Sequence, residues 1–313
     1  MKIVMNPPIG EIYRQQIAAV APNATVVMPS SDELLNEMCD AEILFGSYSG
    51  EIISSGPLLK WVQSTSAGMD ISLIPEVMGD NLILTNASGV HAIQVAEQAF
   101  ALTLAIIRGV YFSVRAQREH KWQRPDLRDF YGMNVAIIGF GGIGRRYAEL
   151  IRPNNTQTIA LDVHPIAKVD TVDAIWPMER LDEALEIADV VFIACPCTEK
   201  TIKLINKRTL GIMKKDAILI NTARGKIVDE QALVAVLKEG GIGAAGLDVF
   251  EEEPLDESSD LWELENVIIT PHAAGGSPHR HDRTVGFFAE NLRRYLKGDE
   301  LQNVVDKSLG YPT

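Results

Sequence analysis

The sequence predicts an α/β protein of two domains, each a parallel sheet covered by helices. Three observations carry that expectation. Short apolar runs alternate with helix-like segments through both halves of the chain, the rhythm of a parallel sheet. Near the middle, the apolar run Val135 to Ile138 enters Gly139-Phe140-Gly141-Gly142-Ile143-Gly144 and then a helix-like stretch, Arg145 to Ile151. The chain of 313 residues is also longer than one domain of about 100–200 residues.

In chain order, residues 2–6 read as a strand and 10–20 as a helix. Thr25 to Met28 and Ile43 to Phe45 read as strands, with helix-like Asp32 to Met38 between them. Within Trp61-Val62-Gln63-Ser64-Thr65-Ser66-Ala67-Gly68-Met69-Asp70 a strand runs into a small-residue turn at Ala67-Gly68. Such a turn can leave backbone N–H groups free for an anion, although spacing alone favours a plain connecting loop. Leu82 to Leu84 is another short strand. Val90 to Ile107 is apolar almost all round. A helix there is expected to be buried, either between domains or against a second subunit, and to bridge the first domain to the second. Glu97 interrupts it and is expected to be paired or capping. The polar stretch Arg115 to Arg128, with Trp122 and Pro125, reads as the linker that follows.

The second half repeats the rhythm. In G-x-G-x-x-G the first glycine permits a tight turn and the second lets a pyrophosphate approach the backbone. The third allows close helix–strand packing, and N–H groups at the helix start face the phosphates. The next apolar run, Thr158 to Leu161, ends in Asp162, eighteen residues past Gly144. A carboxylate there accepts both ribose hydrogen bonds and repels a 2′-phosphate, so NAD is expected over NADP. His164 and Lys168 stand near enough in sequence to soften that preference. Val190 to Ala194, Ala217 to Ile220, Ala244 to Leu247 and Val267 to Ile269 read as strands. Leu181 to Ala188 and Asp229 to Lys238 read as helices, the latter started by Asp229. Helix 278–297 closes the chain, back on the first domain.

The totals exclude some classes. A net charge of −13 argues against a nucleic-acid partner. Cys39, Cys195 and Cys197 complete no metal site with any histidine cluster, so no metal is expected. They read as reduced thiols of a cytoplasmic protein. Met1 to Pro7 is too soon broken to be a signal peptide. No apolar run reaches the ~18 residues of a membrane span. His91, His120 and His164 read as surface or capping groups, and His279 and His281 as solvated groups at a helix start.

Ligands of open parallel sheets sit at strand C-terminal ends. Arg224 follows Ile220-Asn221-Thr222-Ala223, Glu253 lies beyond Leu247-Asp248-Val249-Phe250, and His272 follows Ile269-Thr270-Pro271. Their types fit one reaction, hydride transfer to a 2-oxo acid. A histidine, with an ordinary pKa of about 6.5, can protonate the alkoxide. A neighbouring carboxylate keeps that acid loaded, and a guanidinium clamps a carboxylate and polarises a carbonyl. On types and positions alone, a surface arginine and a solvated glutamate are the stronger readings.

The local sequences decide. Asn221-Thr222-Ala223-Arg224-Gly225, Gly246-Leu247-Asp248-Val249-Phe250-Glu251-Glu252-Glu253-Pro254 and Pro271-His272-Ala273-Ala274-Gly275 resemble signatures of the D-isomer-specific 2-hydroxyacid dehydrogenases. The resemblance covers nearly the whole chain and includes the Gly-rich turn and Val95-Ala96-Glu97. It implies two doubly wound parallel-sheet domains with a cleft between them, a Rossmann NAD-binding domain and a flavodoxin-like substrate domain. The expected boundaries are 1–96 with 283–313 for the substrate domain and 97–282 for the NAD-binding domain.

The resemblance also implies roles. Arg224 matches the catalytic arginine, Glu253 the glutamate before proline, and His272 the general acid/base. Ala67 and Gly68 match the loop whose amides hold the substrate carboxylate, which reverses the plain-loop reading. Tyr48 sits where the family places a substrate-facing side chain. Gly139, Gly141, Gly142, Ile143, Gly144, Asp162, Pro196, Thr201, Thr222, Ala223, Asp248 and Gly275 are the expected cofactor residues, with Asp248 at the nicotinamide carboxamide. A homodimer acting on a small 2-oxo or 2-hydroxy acid is expected. Rival readings stay open: a co-repressor-like NAD(H)-sensing protein of this fold, or a dehydrogenase of another anion such as phosphite. A phosphoglycerate enzyme is a further one, although the chain stops at Thr313 without a regulatory domain. Formate dehydrogenases are disfavoured by Glu253.

Overall fold

Strands covered on both faces need continuous apolar runs, and such runs set both sheets. The computed structural model describes residues 1–164 and 169–312. Contacts divide the chain into two units, Met1–His91 with Ser277–Thr313, and Ala92–Gly276.

The first unit begins β1 (Lys2–Asn6), α1 (Glu11–Val20), β2 (Thr25–Val27), α2 (Leu34–Met38), β3 (Ile43–Gly46), α3 (Gly50–Ser54), β4 (Trp61–Gln63) and β5 (Ile83–Thr85). These strands form one parallel sheet in the order β2-β1-β3-β4-β5, the flavodoxin-like order.

The second unit opens with α4 (Ala92–Ile107) and α5 (Val110–Arg118). There follow β6 (Asn134–Ile138), α6 (Gly142–Ile151), β7 (Gln157–Asp162), β8 (Ala174–Pro177), α7 (Leu181–Ile187), β9 (Val190–Ile193) and α8 (Lys207–Leu210). β10 (Ile218–Asn221), α9 (Glu230–Lys238), β11 (Ala244–Leu247) and β12 (Val267–Ile269) complete it. Its seven parallel strands run β12-β11-β10-β9-β6-β7-β8. The order reverses at β6/β9, the doubly wound arrangement of a Rossmann sheet. One face buries Ile137, Ile220 and Ala244 against Ala99, Leu102 and Ile106 of α4 and Tyr147 and Ala148 of α6. The other buries Ile138, Val191 and Leu219 against Leu185, Leu233 and Leu237.

Two expectations around α4 are corrected. Its core face is covered within the second unit, but Ile93, Glu97 and Ala101 form an exposed stripe. Glu97 lies on that stripe with no hydrogen bond or ion pair among the described residues, so within this chain it neither pairs nor caps. The stretch Arg115 to Arg128 lies inside the second unit, as the expected boundaries have it, but it is not linker from its first residue. Its start is the end of α5, where Arg115 donates to the carbonyls of Leu264, Glu265 and Val267.

α10 (Arg280–Lys297) returns to the first unit. Val285, Phe288, Ala289 and Leu292 recur at helical spacing and close its core. Phe288 stacks on Phe45 at 4.7 Å and lies 5.2 Å from Trp61. Among the described residues, no single helix is long and apolar enough to cross a membrane.

Candidate active site

One row of paired residues crosses the second sheet: Leu161, Ile138, Ile193, Asn221, Leu247 and Ile269. The strands are parallel, so the next residues leave at one edge. They are Asp162, Gly139, Ala194, Thr222, Asp248 and Thr270. Register alone therefore brings the Gly-rich turn and the segments bearing Arg224, Glu253 and His272 to the same side.

On the β6 side, Gly139 has φ 95°, and a Cβ there would lie 2.5 Å from the Cys195 nitrogen. A Cβ on Gly144 would lie 2.2 Å from the Gly139 carbonyl oxygen, whereas one on Gly141 meets nothing within 4 Å. The chain itself requires two of the glycines; the third leaves its surroundings open. No side chain among the described residues caps α6, so the first N–H groups, including those of Gly142 and Ile143, remain for an anion. Thr222 Oγ1 is buried without a hydrogen-bond partner among the described residues. Asp162 accepts Phe140 N–H at 2.7 Å on Oδ2 and His164 N–H at 3.0 Å on Oδ1. Each oxygen keeps another lone pair for a ribose hydroxyl. An orphaned hydroxyl, an uncapped helix start and an open glycine fit a dinucleotide. Lys168 lies outside the described residues.

Other expected cofactor residues shape their own loops. The Thr201 hydroxyl donates to the Pro196 carbonyl at 2.7 Å and accepts Thr198 N–H at 2.7 Å, while Pro196 is exposed. Ala223 N–H donates to Asn221 Oδ1 at 3.0 Å, and the Gly275 carbonyl accepts Gln94 Nε2 at 3.4 Å. Cys195 is buried beside this loop, and burial pushes its thiol up to about 12.

On the β10–β12 side, buried Asn221 also donates to the Arg224 carbonyl at 2.9 Å, fixing the loop that carries the guanidinium. Glu253 Oε1 accepts Phe250 N–H at 3.0 Å, and its Oε2 lies 2.6 Å from His272 Nδ1. His272 Nε2 has no protein partner among the described residues, and the ring is about half exposed. The His272 backbone is left-handed, φ 49°, a conformation that a residue with a Cβ adopts seldom. Asp248 is completely buried, and its carboxylate accepts N–H from Ala273 and Ala274 at 2.9 Å each. The family resemblance implies a nicotinamide contact for Asp248; in the fold it anchors the His272 turn.

In the first unit, the Ala67 and Gly68 N–H groups have no acceptor among the described residues. Their turn is shaped by Asn86 Nδ2, which donates to the Ala67 carbonyl at 2.8 Å, and by Ser66 N–H on Ser64 Oγ at 3.1 Å. Buried Gln63 stands behind it, donating to the Ser64 and Asn86 carbonyls and accepting from Thr85 and Asn291. Sequence reasoning missed this network; its signal was a run of polar residues, Gln63, Thr85 and Asn86, at strand ends. His91 is another correction. It is buried rather than at the surface, with Nε2 3.0 Å from the Thr65 carbonyl. Burial, with the charges of Arg280 and Arg283, holds its pKa below the ordinary value. The Tyr48 hydroxyl donates to the Ser72 carbonyl at 2.9 Å, and burial pushes its pKa up to about 12.

This arrangement matches known proteins. The family model of the D-isomer specific 2-hydroxyacid dehydrogenase NAD binding domain matches residues 100–274, and the chain belongs to that family. It is 34% identical to a glyoxylate reductase of Thermofilum pendens over 291 residues, 90% of this chain and 86% of the relative. A glyoxylate reductase of Korarchaeum cryptofilum is 36% identical over 283 residues, 87% and 84%. A D-isomer specific 2-hydroxyacid dehydrogenase structure from Xanthobacter autotrophicus Py2, in complex with NADPH and MES, is 27% identical. It superposes with a TM-score of 0.87 over 99% of both chains. The chain is an oxidoreductase with a nucleotide cofactor.

Proposed function

We propose that the chain interconverts a 2-oxo acid and its D-2-hydroxy acid with NAD(H), using His272 as general acid/base. The carrying observation is the 2.6 Å contact of His272 Nδ1 with Glu253, which leaves Nε2 open. It lies on the sheet edge that also bears the Gly-rich turn. A bound nicotinamide supplies hydride to the carbonyl carbon, or removes it in the reverse direction. His272 Nε2–H gives its proton to the carbonyl oxygen as charge develops there. Glu253 fixes the ring's orientation from the other nitrogen. Arg224 orients the substrate carboxylate and polarises the carbonyl, and the free Ala67 and Gly68 N–H groups hold the carboxylate.

Asp162 supports NAD over NADP, since its negative charge would face a 2′-phosphate. Exposed Ile93, Val110 and Val114 on α4 and α5 support a homodimer. Three free cysteines agree with a cytoplasmic setting. The test is NADH and NADPH oxidation with glyoxylate, hydroxypyruvate, pyruvate, and branched and aromatic 2-oxo acids, beside His272→Ala. Saturable turnover that needs His272 supports the reading and ranks substrates and cofactors. Tight NADH binding without turnover on any acid would redirect it to the sensing protein or to phosphite.

A further inference from the structure

We infer that Gln98 and Thr270 are positioning residues for His272, acting through the buried carboxylate of Asp248. This rests on the reading of His272 as general acid/base. Gln98 Nε2, on α4, donates to Thr270 Oγ1 at 3.2 Å, and that hydroxyl donates to Asp248 Oδ1 at 2.5 Å. Oδ1 also accepts Ala273 N–H and Oδ2 accepts Ala274 N–H. The Asp248 carbonyl accepts His272 N–H at 2.8 Å. Residues before, at and after His272 thus hang from one aspartate.

The order of the relay follows from donor and acceptor chemistry. Gln98 can only donate through its amide nitrogen, so it occupies a lone pair of the Thr270 hydroxyl and directs that proton at Asp248. The aspartate, held from one side, then holds the two amides after His272. The left-handed His272 backbone needs such ties, because Glu253 fixes only the ring. With the ties cut, the turn relaxes towards ordinary φ and Nε2 moves off its line to the substrate. A shift of about 1 Å in a reacting group costs roughly 10²-fold in rate.

The test compares Thr270→Val, which keeps shape and removes the hydroxyl, Thr270→Ser, which keeps the hydroxyl, and Gln98→Leu. Measured are kcat and its pH profile, KM for the acid, NADH Kd, thermal midpoint, and hydrogen exchange at the Ala273 and Ala274 amides. Thr270→Val is expected to lower kcat about 10–100-fold and to shift the pH limb that His272→Ala abolishes. NADH Kd stays near wild type, and both amides exchange faster. Thr270→Ser restores kcat to within about threefold, and Gln98→Leu loses less than Thr270→Val. Combined, the two losses are less than additive, as members of one series. Thr270→Val with kcat within twofold and unchanged exchange would overturn the proposal. So would Thr270→Ser as impaired as Thr270→Val. If wild type turns over no acid, the His272 reading has failed, and exchange alone decides whether Thr270 holds the turn.

Discussion

Two turns leave the same edge of the second sheet and are held by opposite means. The Gly139–Gly144 turn works by omission: a Cβ at either end would strike backbone, and at Gly141 there is open space. The turn around His272 works by addition, with a buried aspartate accepting the neighbouring N–H groups and a threonine and a glutamine behind it. A loop that lets a ligand reach its main chain must present bare amides. A loop that aims one side chain must instead be gripped through its main chain. Substitutions in the two turns should therefore fail differently.

The largest expected effect tests that separation. His272→Ala should lower turnover by about 10²–10⁴ while NADH Kd, followed by fluorescence titration, stays within about twofold. Equal loss of both would mean that the turns do not act independently. Next, Gly139→Ala should lower stability in urea unfolding by about 1–3 kcal/mol, an overpacking cost. Gly141→Ala should stay within about 0.5 kcal/mol of wild type and yet bind NADH more weakly. If Gly141→Ala binds normally, the open space is not where a pyrophosphate lies. Asp162→Ser should lose roughly 1–3 kcal/mol of NADH binding through its lost acceptors, with NADPH affected less. A parallel loss for both cofactors would remove Asp162 from cofactor choice.

The smallest effect concerns the polar grip on the segment bearing Glu253. Glu230 N–H donates to Glu251 and Glu251 N–H to Glu230, both at 3.1 Å. Burial raises the Glu230 pKa above the ordinary value. A raised carboxyl contributes stability below its unfolded pKa of about 4.3 and loses it as pH rises through the folded value. Glu230→Gln should therefore melt slightly higher than wild type at pH 7.5, with the gain gone by pH 4. A gain that persists at pH 4 would mean ionisation is not the cause.

Much of this was legible because local rules and the fold agree. Gly139 to Gly144, with Asp162 at the end of the next strand, define a conformation and point to a ligand, and the strand-end positions of Arg224, Glu253 and His272 follow from parallel register. The missed parts depend on tertiary partners. Arg115 to Arg118 looked like linker because its charges suggest solvent, but Arg115 finds carbonyls about 150 residues away in sequence. β8 pairs at the sheet edge through Ala174-Ile175-Trp176-Pro177, too short a run to stand out. His91 and Gln63 are buried polar groups whose acceptors are backbone atoms of distant residues, which no local pattern shows.

The division of the first unit bears on how the chain is made. Residues up to His91 emerge early, yet Val285, Phe288, Ala289 and Leu292 complete the core around Phe45 and Trp61. About 190 residues of synthesis intervene, roughly 10–40 s at ordinary elongation rates. During that interval the first sheet keeps an apolar face in need of a cover. The contiguous second unit, Ala92–Gly276, has all its strands before then, so the region translated first is completed last.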